Sequence, residues 1–375
     1  MDSEETIRQW FFQNRKYMPI YINSAVSISP QKTFHSRPFL SDIVTPDKAY
    51  FSCISPDYKE YINPRLLRRM SKIVRMGIAS SKVCLEDAGI EQADAIVVGT
   101  GLGCVEDTVK FLKQIIENDE QLLNPTSFIQ STHNTVSGQI ALILECQNYN
   151  MTFSQKSISF ETALIDVIML LKDEDAQHVL VGGIDEIVEE SFSLLVQAGC
   201  TKAAWEEDIL NSATPGAIAG EGATFFIMSG TENKNTLSQL DAVEIFNRCS
   251  SGKDVTLKLQ EFLTSKGLSW DDIDVLVSGK NGDIRCNKIY DDINSLFNKS
   301  IVVAYKHLTG EYDTASAFGT YLASKMIYLN TVPESVRQNE VHKEKISRCL
   351  VVNYSRNQDL SCILLSEKNL PDLHS

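Results

Sequence analysis

The sequence predicts an α/β fold built from two duplicated halves, with helices on both sides of its sheets. Three observations predict it. Helical and strand periodicities alternate along the 375 residues. LEDAGIEQADAIVVGTGLG, from Leu85 to Gly103, is matched by FLTSKGLSWDDIDVLVSGKNG at residues 262–282. Both read as helix, Gly-Ile or Gly-Leu, short acidic link, apolar strand and Gly-rich loop. A helix at 159–171 followed by a strand at 178–184 is likewise matched by a helix at 314–329 and a strand at 347–354. Offsets of roughly 155–180 residues far exceed any solenoid period, so they mark one duplication. The expected division is 1–235 and 236–375, packed as one compact unit.

In chain order, residues 1–50 hold a strand candidate at Tyr17–Ser27 and a loop rich in Ser, Pro and Lys. Residues 63–89 read as one helix, with Pro64 at its start, an amphipathic run from Leu66 to Ala88 and Gly89 as its stop. A strand is expected at Asp94–Gly99, a tight turn at GTGLGC and a helix at Val105–Asn118. Residues 124–145 read as loop, then helix. Ala176–Ile184 is a short buried strand, and the Gly-rich GAIAGEGA leads into the strand TFFIMS.

The centre of the first half is MTFSQKSISFETALIDVIMLL, residues 151–171. Met151, Phe153 and Gln155 alternate with Thr152, Ser154 and Lys156, as in a strand. Phe160, Leu164, Ile168 and Leu171 then follow helical spacing. Ser157 falls at the switch, where a strand tip meets a helix N-terminus and many enzymes place a nucleophile. Ser157 or Ser159 can equally cap the helix, since Ser is a favoured N-cap residue.

Composition excludes several classes. The start, MDSEETIRQWFF, has no apolar core of a secretory signal, and no apolar run reaches the length of a membrane span. Nine cysteines without CxxC spacing imply reduced thiols in a cytoplasm, and with six scattered histidines they offer no metal site. A net charge of −14 disfavours nucleic acid, anionic membranes and acidic protein partners. Gly99-Thr100-Gly101-Leu102-Gly103 lacks the later glycine of a dinucleotide fingerprint, so no cofactor is expected.

Several motifs together resemble the β-ketoacyl synthase family of the thiolase fold. They are RRMSKIVRMGIASSKVCLEDAGI (68–90), IVVGTGLGCVEDT (96–108), NPTSFIQSTHNTVSGQIAL (124–142), HVLVGGIDE (178–186), PGAIAGEGATFFIMSG (215–230) and AYKHLTGEYDTASAFG (304–319). They stand in the family's order across about residues 20–365. The resemblance implies a layered α-β-α-β-α sandwich. The NP…F..S.HN…GQ run is similar to synthase-like relatives of aryl polyene-type pathways that act as chain-length-factor-like partners.

The family's chemistry uses a Cys that takes an acyl group from an acyl carrier protein. Two His residues, a nearby Lys and a Phe-containing gate loop complete the site. At those positions this chain reads Ser157 for the Cys, Lys280 and Glu311 for the two His, and Lys306 for the Lys. The gate is Asn353-Tyr354-Ser355-Arg356, without glycine, and Tyr354 and Arg356 are its candidate residues. The resemblance also places Thr132, His133, Asn134, Thr135 and Val136 at a dimer two-fold that closes the acyl pocket.

These replacements remove the chemistry. A hydroxyl needs an adjacent base where a thiol at a helix N-terminus does not. Lys280 would serve as that base only with a strongly lowered pKa, and an ionised Glu311 repels an oxyanion. Lys280 and Glu311 are expected to pair as a partly buried salt bridge. The chain is therefore expected to be inactive alone. It is read as a chain-length-factor-type subunit that pairs with a Cys-containing synthase in fatty acid or polyketide synthesis and reaches acyl carrier protein through that partner. Two alternatives stand beside this: an acyltransferase or thioesterase-like enzyme using Ser157, and a homodimeric scaffold or binding protein.

Overall fold

A computed structural model describes residues 18–35, 39–356, 358–368 and 370; the N-terminal stretch MDSEETIRQWFF and Tyr17 lie outside them. Ten strands and eleven α-helices are assigned among the described residues. The first half contains β1 (Ile20–Ile28), α1 (Pro64–Leu67), α2 (Lys72–Ala88), β2 (Ala95–Gly99), α3 (Val105–Glu117), α4 (Pro125–Gln130), α5 (Thr135–Ile143), β3 (Tyr149–Phe153), α6 (Ser159–Lys172), β4 (His178–Asp185), α7 (Glu189–Gln197) and β5 (Gly222–Ser229). The second contains β6 (Ser238–Phe246), α8 (Gly252–Ser265), β7 (Val275–Ser278), α9 (Ile284–Leu296), β8 (Ile301–Ala304), α10 (Lys306–Thr309), α11 (Ala315–Leu329), β9 (Arg348–Tyr354) and β10 (Leu360–Ser366).

The duplication is visible in the sheet. Its order is β3-β2-β4-β5-β1-β6-β10-β9-β7-β8. Counting strands within each half, both read 3-2-4-5-1, and they abut through β1 and β6. That seam is short: only Ile20, Tyr21 and Ile22 pair with Leu240, Gln239 and Ser238.

Alternation along the strands explains the layers. In β2, Ala95 and Val97 face a core shared with α6 and α11, while Ile96 and Val98 face α2 and α5. In β9, Cys349 and Val351 face the same shared core, while Leu350 and Val352 face α8 and α9. The central pair α6 and α11 is thus covered by sheet on both sides, which gives the five-layer α-β-α-β-α sandwich. All-round burial of α11 matches its nearly unbroken apolar and small-residue sequence, ASAFGTYLASKMIYL.

Some boundaries differ from expectation. The first strand is Ile20–Ile28, and the single helix expected from Leu66 is broken. Ser71 is extended, with φ −66° and ψ 167°, so α2 starts afresh at Lys72 behind it. Strands β6, β8 and β10 and helix α7 carried no distinct sequence signal. No helix among the described residues is long and apolar enough to cross a membrane.

All nine cysteines are free; eight are buried and Cys200 is partly exposed. Burial pushes the Cys84 thiol up to about 12, which makes it inert. A thiol-reagent titration of the native protein is expected to show one fast-reacting group, Cys200, with the others appearing only on unfolding.

Candidate functional site

The tips of β3, β4, β7 and β9 open onto one cavity of about 300 Å³. Ser157, Lys306, Glu311 and Arg356 line it. No histidine is among its lining residues.

Between β3 and α6 the chain makes a tight turn in which Lys156 takes a left-handed φ of 54°. Ser159 closes this turn: its Oγ accepts from the Gln155 N–H at 2.8 Å and donates to the Lys156 carbonyl at 2.6 Å. Ser157 is no cap. Its Oγ is buried with no hydrogen-bond partner among the described residues. Nothing is therefore in place to take its proton, so the hydroxyl is not activated as a nucleophile.

Lys306, at the start of α10, is almost wholly buried. Its ammonium donates to both Glu311 carboxylate oxygens at 2.8 Å and to Asn353 Oδ1 at 2.8 Å. Three donors meet three acceptors, so Lys306 is saturated. Glu311 also accepts from Asn281 Nδ2 at 2.5 Å. The expected Lys280–Glu311 salt bridge is absent: Lys280 Nζ pairs with Asp291 Oδ1 at 2.7 Å instead. Lys280 also does not line the cavity, whereas its neighbour Asn281 does. Successive residues leaving a strand point opposite ways, so a one-residue slip in the carry-over exchanged the inward side chain for the outward one.

Tyr354 needs a similar correction. It is buried beside the cavity without lining it, donating to the Cys249 carbonyl at 2.9 Å, while its N–H donates to the Tyr290 hydroxyl at 2.8 Å. Asn353, Ser355 and Arg356 are the residues of that segment facing the cavity.

Acidic groups missed by the sequence reading complete the walls. Asp185, at the end of β4, accepts from the Gly101 N–H at 2.8 Å and Thr100 Oγ1 at 3.1 Å. It also accepts from the Thr314 N–H at 2.9 Å and Thr314 Oγ1 at 2.8 Å. One carboxylate thereby ties the turn after β2 to the start of α11 in the other half. Glu186 accepts from the first-turn N–H groups of α2 and α3, Ile73 at 3.2 Å and Glu106 at 2.9 Å, while burial pushes its pKa up to about 8. Asp313 has no hydrogen-bond or ion-pair partner among the described residues. Burial, helped by Asp185 and Glu311, lifts its pKa to about 7. The signal for Asp185 lay in HVLVGGIDE; for Asp313 none was readable.

Of the five residues expected at the two-fold, Thr132, His133 and Asn134 are exposed and Thr135 half-exposed, on the turn into α5. Val136 is fully buried in the core beneath α2, so it does not face a partner. His133 packs against Gly103, outside the cavity.

The family model for the β-ketoacyl synthase N-terminal domain matches residues 55–254. No curated protein matches the chain. Among solved structures, the chain is similar to the ishigamide ketosynthase/chain length factor, with a TM-score of 0.79 and 14% identity over 94% of this chain and all of that one. It is also similar to a β-ketoacyl synthase from Burkholderia phymatum STM815, with TM-score 0.75 and 11% identity over 94% of this chain and all of that one. A third is the AntDE:AntF complex, a type II PKS acyl-carrier protein with its ketosynthase bound to the hexaketide; its matched chain gives 0.71 and 13% over 94% of this chain and 99% of that one. These likenesses establish the thiolase-like ketosynthase fold. With more than half its length matched by the family model, the chain belongs to the β-ketoacyl synthase family.

Proposed function

We propose that the chain is a non-catalytic, chain-length-factor-type subunit that pairs with a Cys-containing β-ketoacyl synthase in fatty acid or polyketide synthesis. The observation that carries this is the Lys306–Glu311–Asn353–Asn281 network. It satisfies Lys306 and Glu311, two positions that the resemblance assigns to the reaction, through each other and two asparagines, while the Ser157 hydroxyl has no base among the described residues. The same orphaned hydroxyl speaks against the acyltransferase or thioesterase reading.

The sheet edges support a subunit contact on the β3 side, with a synthase or with a second copy of this chain. At one end, β8 is covered: Gln338 N–H donates to the Val302 carbonyl at 2.8 Å, and Val303 bridges Arg337. At the other, β3 pairs only with β2 among the described residues, and Tyr149, Asn150 and Met151 are exposed. Phe128, Ile129 and Leu142 are exposed nearby, at 56%, 65% and 68%. An open edge beside apolar side chains fits a buried subunit contact. The partner would supply the docking surface for acyl carrier protein, since this chain's net charge is −14. The free thiols fit a cytoplasmic setting, and we place the boundary between halves at 235/236.

Co-expression with an intact Cys-His-His synthase tests the reading. The expected result is a stable one-to-one complex, with no condensation by this chain alone and no acyl adduct on Ser157 by intact mass. A Met151→Asp variant is expected to lose co-purification, because a charge would be buried unpaired at the contact. Turnover by the chain alone, or acylated Ser157, would overturn the proposal.

A further inference from the structure

A second cavity, of about 630 Å³, lies at the far end of α11 from the site described above. That helix starts beside Asp313 and ends at Leu329, a run of roughly 22 Å. Elements of both halves build the cavity. Val26 comes from β1, Val83 from the later turns of α2, Phe39 from the loop after β1, and Tyr321, Tyr328 and Leu329 from α11. It shares no lining residue with the first cavity.

The wall is apolar and rich in rings. Tyr321 is buried, and Phe39 meets it edge to face with ring centroids 5.6 Å apart. The Tyr321 hydroxyl is already used, donating to the Thr33 carbonyl at 3.4 Å. Tyr328 and Leu329 stand at the rim, 55% and 48% exposed.

The charges on this wall cancel. Among the described residues it carries one carboxylate, Asp87, and one ammonium, Lys325. The two lie close enough to act on one group: burial dominates at the Cys84 thiol, with Asp87 pushing it further up and Lys325 drawing it down. Lys325 Nζ also stands 5.5 Å from the centroid of the Tyr321 ring, so a cation already covers that ring face. His35, the other titratable group on the wall, is exposed and stacked on Tyr61.

We infer that this cavity binds a neutral aromatic molecule of two or three fused rings, seated against Phe39, Tyr328 and the aliphatic wall. Rings gain from offset and edge contacts with other rings beyond the area they bury. A ligand with a net charge would leave water for a wall offering as much repulsion as attraction, so its desolvation goes uncompensated. A volume of about 630 Å³ is well within the range of ligand sites, which favour apolar clefts between structural units with few polar groups. The inference is independent of the pairing and non-catalytic readings, because none of these residues belongs to the first cavity or to the β3 edge.

Calorimetric titration of the whole chain with four ligands of one shape tests this: naphthalenemethanol, naphthoate, naphthylmethylamine and the saturated decalinmethanol. Naphthalenemethanol is expected to bind at least about tenfold more tightly than the anion or the cation, and more tightly than the saturated alcohol. Thr331→Trp, which fills the cavity from an exposed position on its wall, is expected to abolish binding. Tyr328→Ser is expected to weaken the aromatic alcohol and narrow its lead over the saturated one. Leu102→Trp, at the first cavity, is expected to leave binding unchanged, which assigns the ligand to the second. All three altered residues are exposed, so the fold is retained in each variant. Equal binding of the anion, the cation or the saturated alcohol overturns the inference. So does an unchanged Thr331→Trp or Tyr328→Ser variant, loss of binding on Leu102→Trp, or no binding of naphthalenemethanol at all.

Discussion

Glu311→Ala is expected to destabilise the fold by about 2–4 kcal/mol, the cost of leaving the buried Lys306 ammonium without its half-exposed partner. Lys306 is 2% exposed. Without Glu311 its ammonium retains only Asn353, and Asn281 loses its acceptor as well. The loss is measured as a drop in urea midpoint. The double variant Lys306→Met with Glu311→Leu is expected to recover most of it, because an apolar pair of similar volume avoids the desolvation penalty altogether. A single variant as stable as the parent would mean that the pair is solvated and that the cavity is wetter than its walls imply.

Gly282→Ala is expected to cost about as much, at the top of the range for single substitutions. Gly282 has φ +76°, and a Cβ there would stand 1.9 Å from the Ile209 carbonyl oxygen. Backbone meets backbone, so neither side yields cheaply. Gly89→Ala provides the control, since its φ is +71° with nothing within 4 Å of the new Cβ. It should show only the left-handed penalty of about 1–2 kcal/mol. The difference between the two isolates the contact between the loop before β5 and the turn after β7. Because Gly282 follows Asn281, the variant is also expected to displace Asn281 from Glu311. Equal midpoints for the two variants would refute this account of the turn.

The sequence made the fold legible through repetition. The paired segments 85–103 and 262–282 became the same helix–strand–turn unit in each half, and the alternating residues of β2 and β9 sorted into the layers that period two demands. Strands β8 and β10 were harder, since four or seven buried residues read alike in a helix or a strand. In the site, Ser157, Lys306 and Glu311 could be placed because each sits inside an ordered motif. Lys280 could not, because side-chain direction reverses at each residue beyond β7. Asp313 was invisible for another reason. Its environment is created by Gly101 and Asp185 of the other half, a meeting that only tertiary structure brings about.

The open edge of β3 has a consequence for how the protein is made. A strand whose outer edge is unpaired among the described residues, beside exposed Phe128, Ile129 and Leu142, is a template for any other extended chain. Molecules synthesised in excess of their partner would then pair with one another and be lost to aggregation or proteolysis. Under the pairing proposed above, the two subunits would have to be supplied in equal amounts. The yield of soluble chain should rise and level off as partner expression reaches parity, which ties the abundance of one protein to the translation of another.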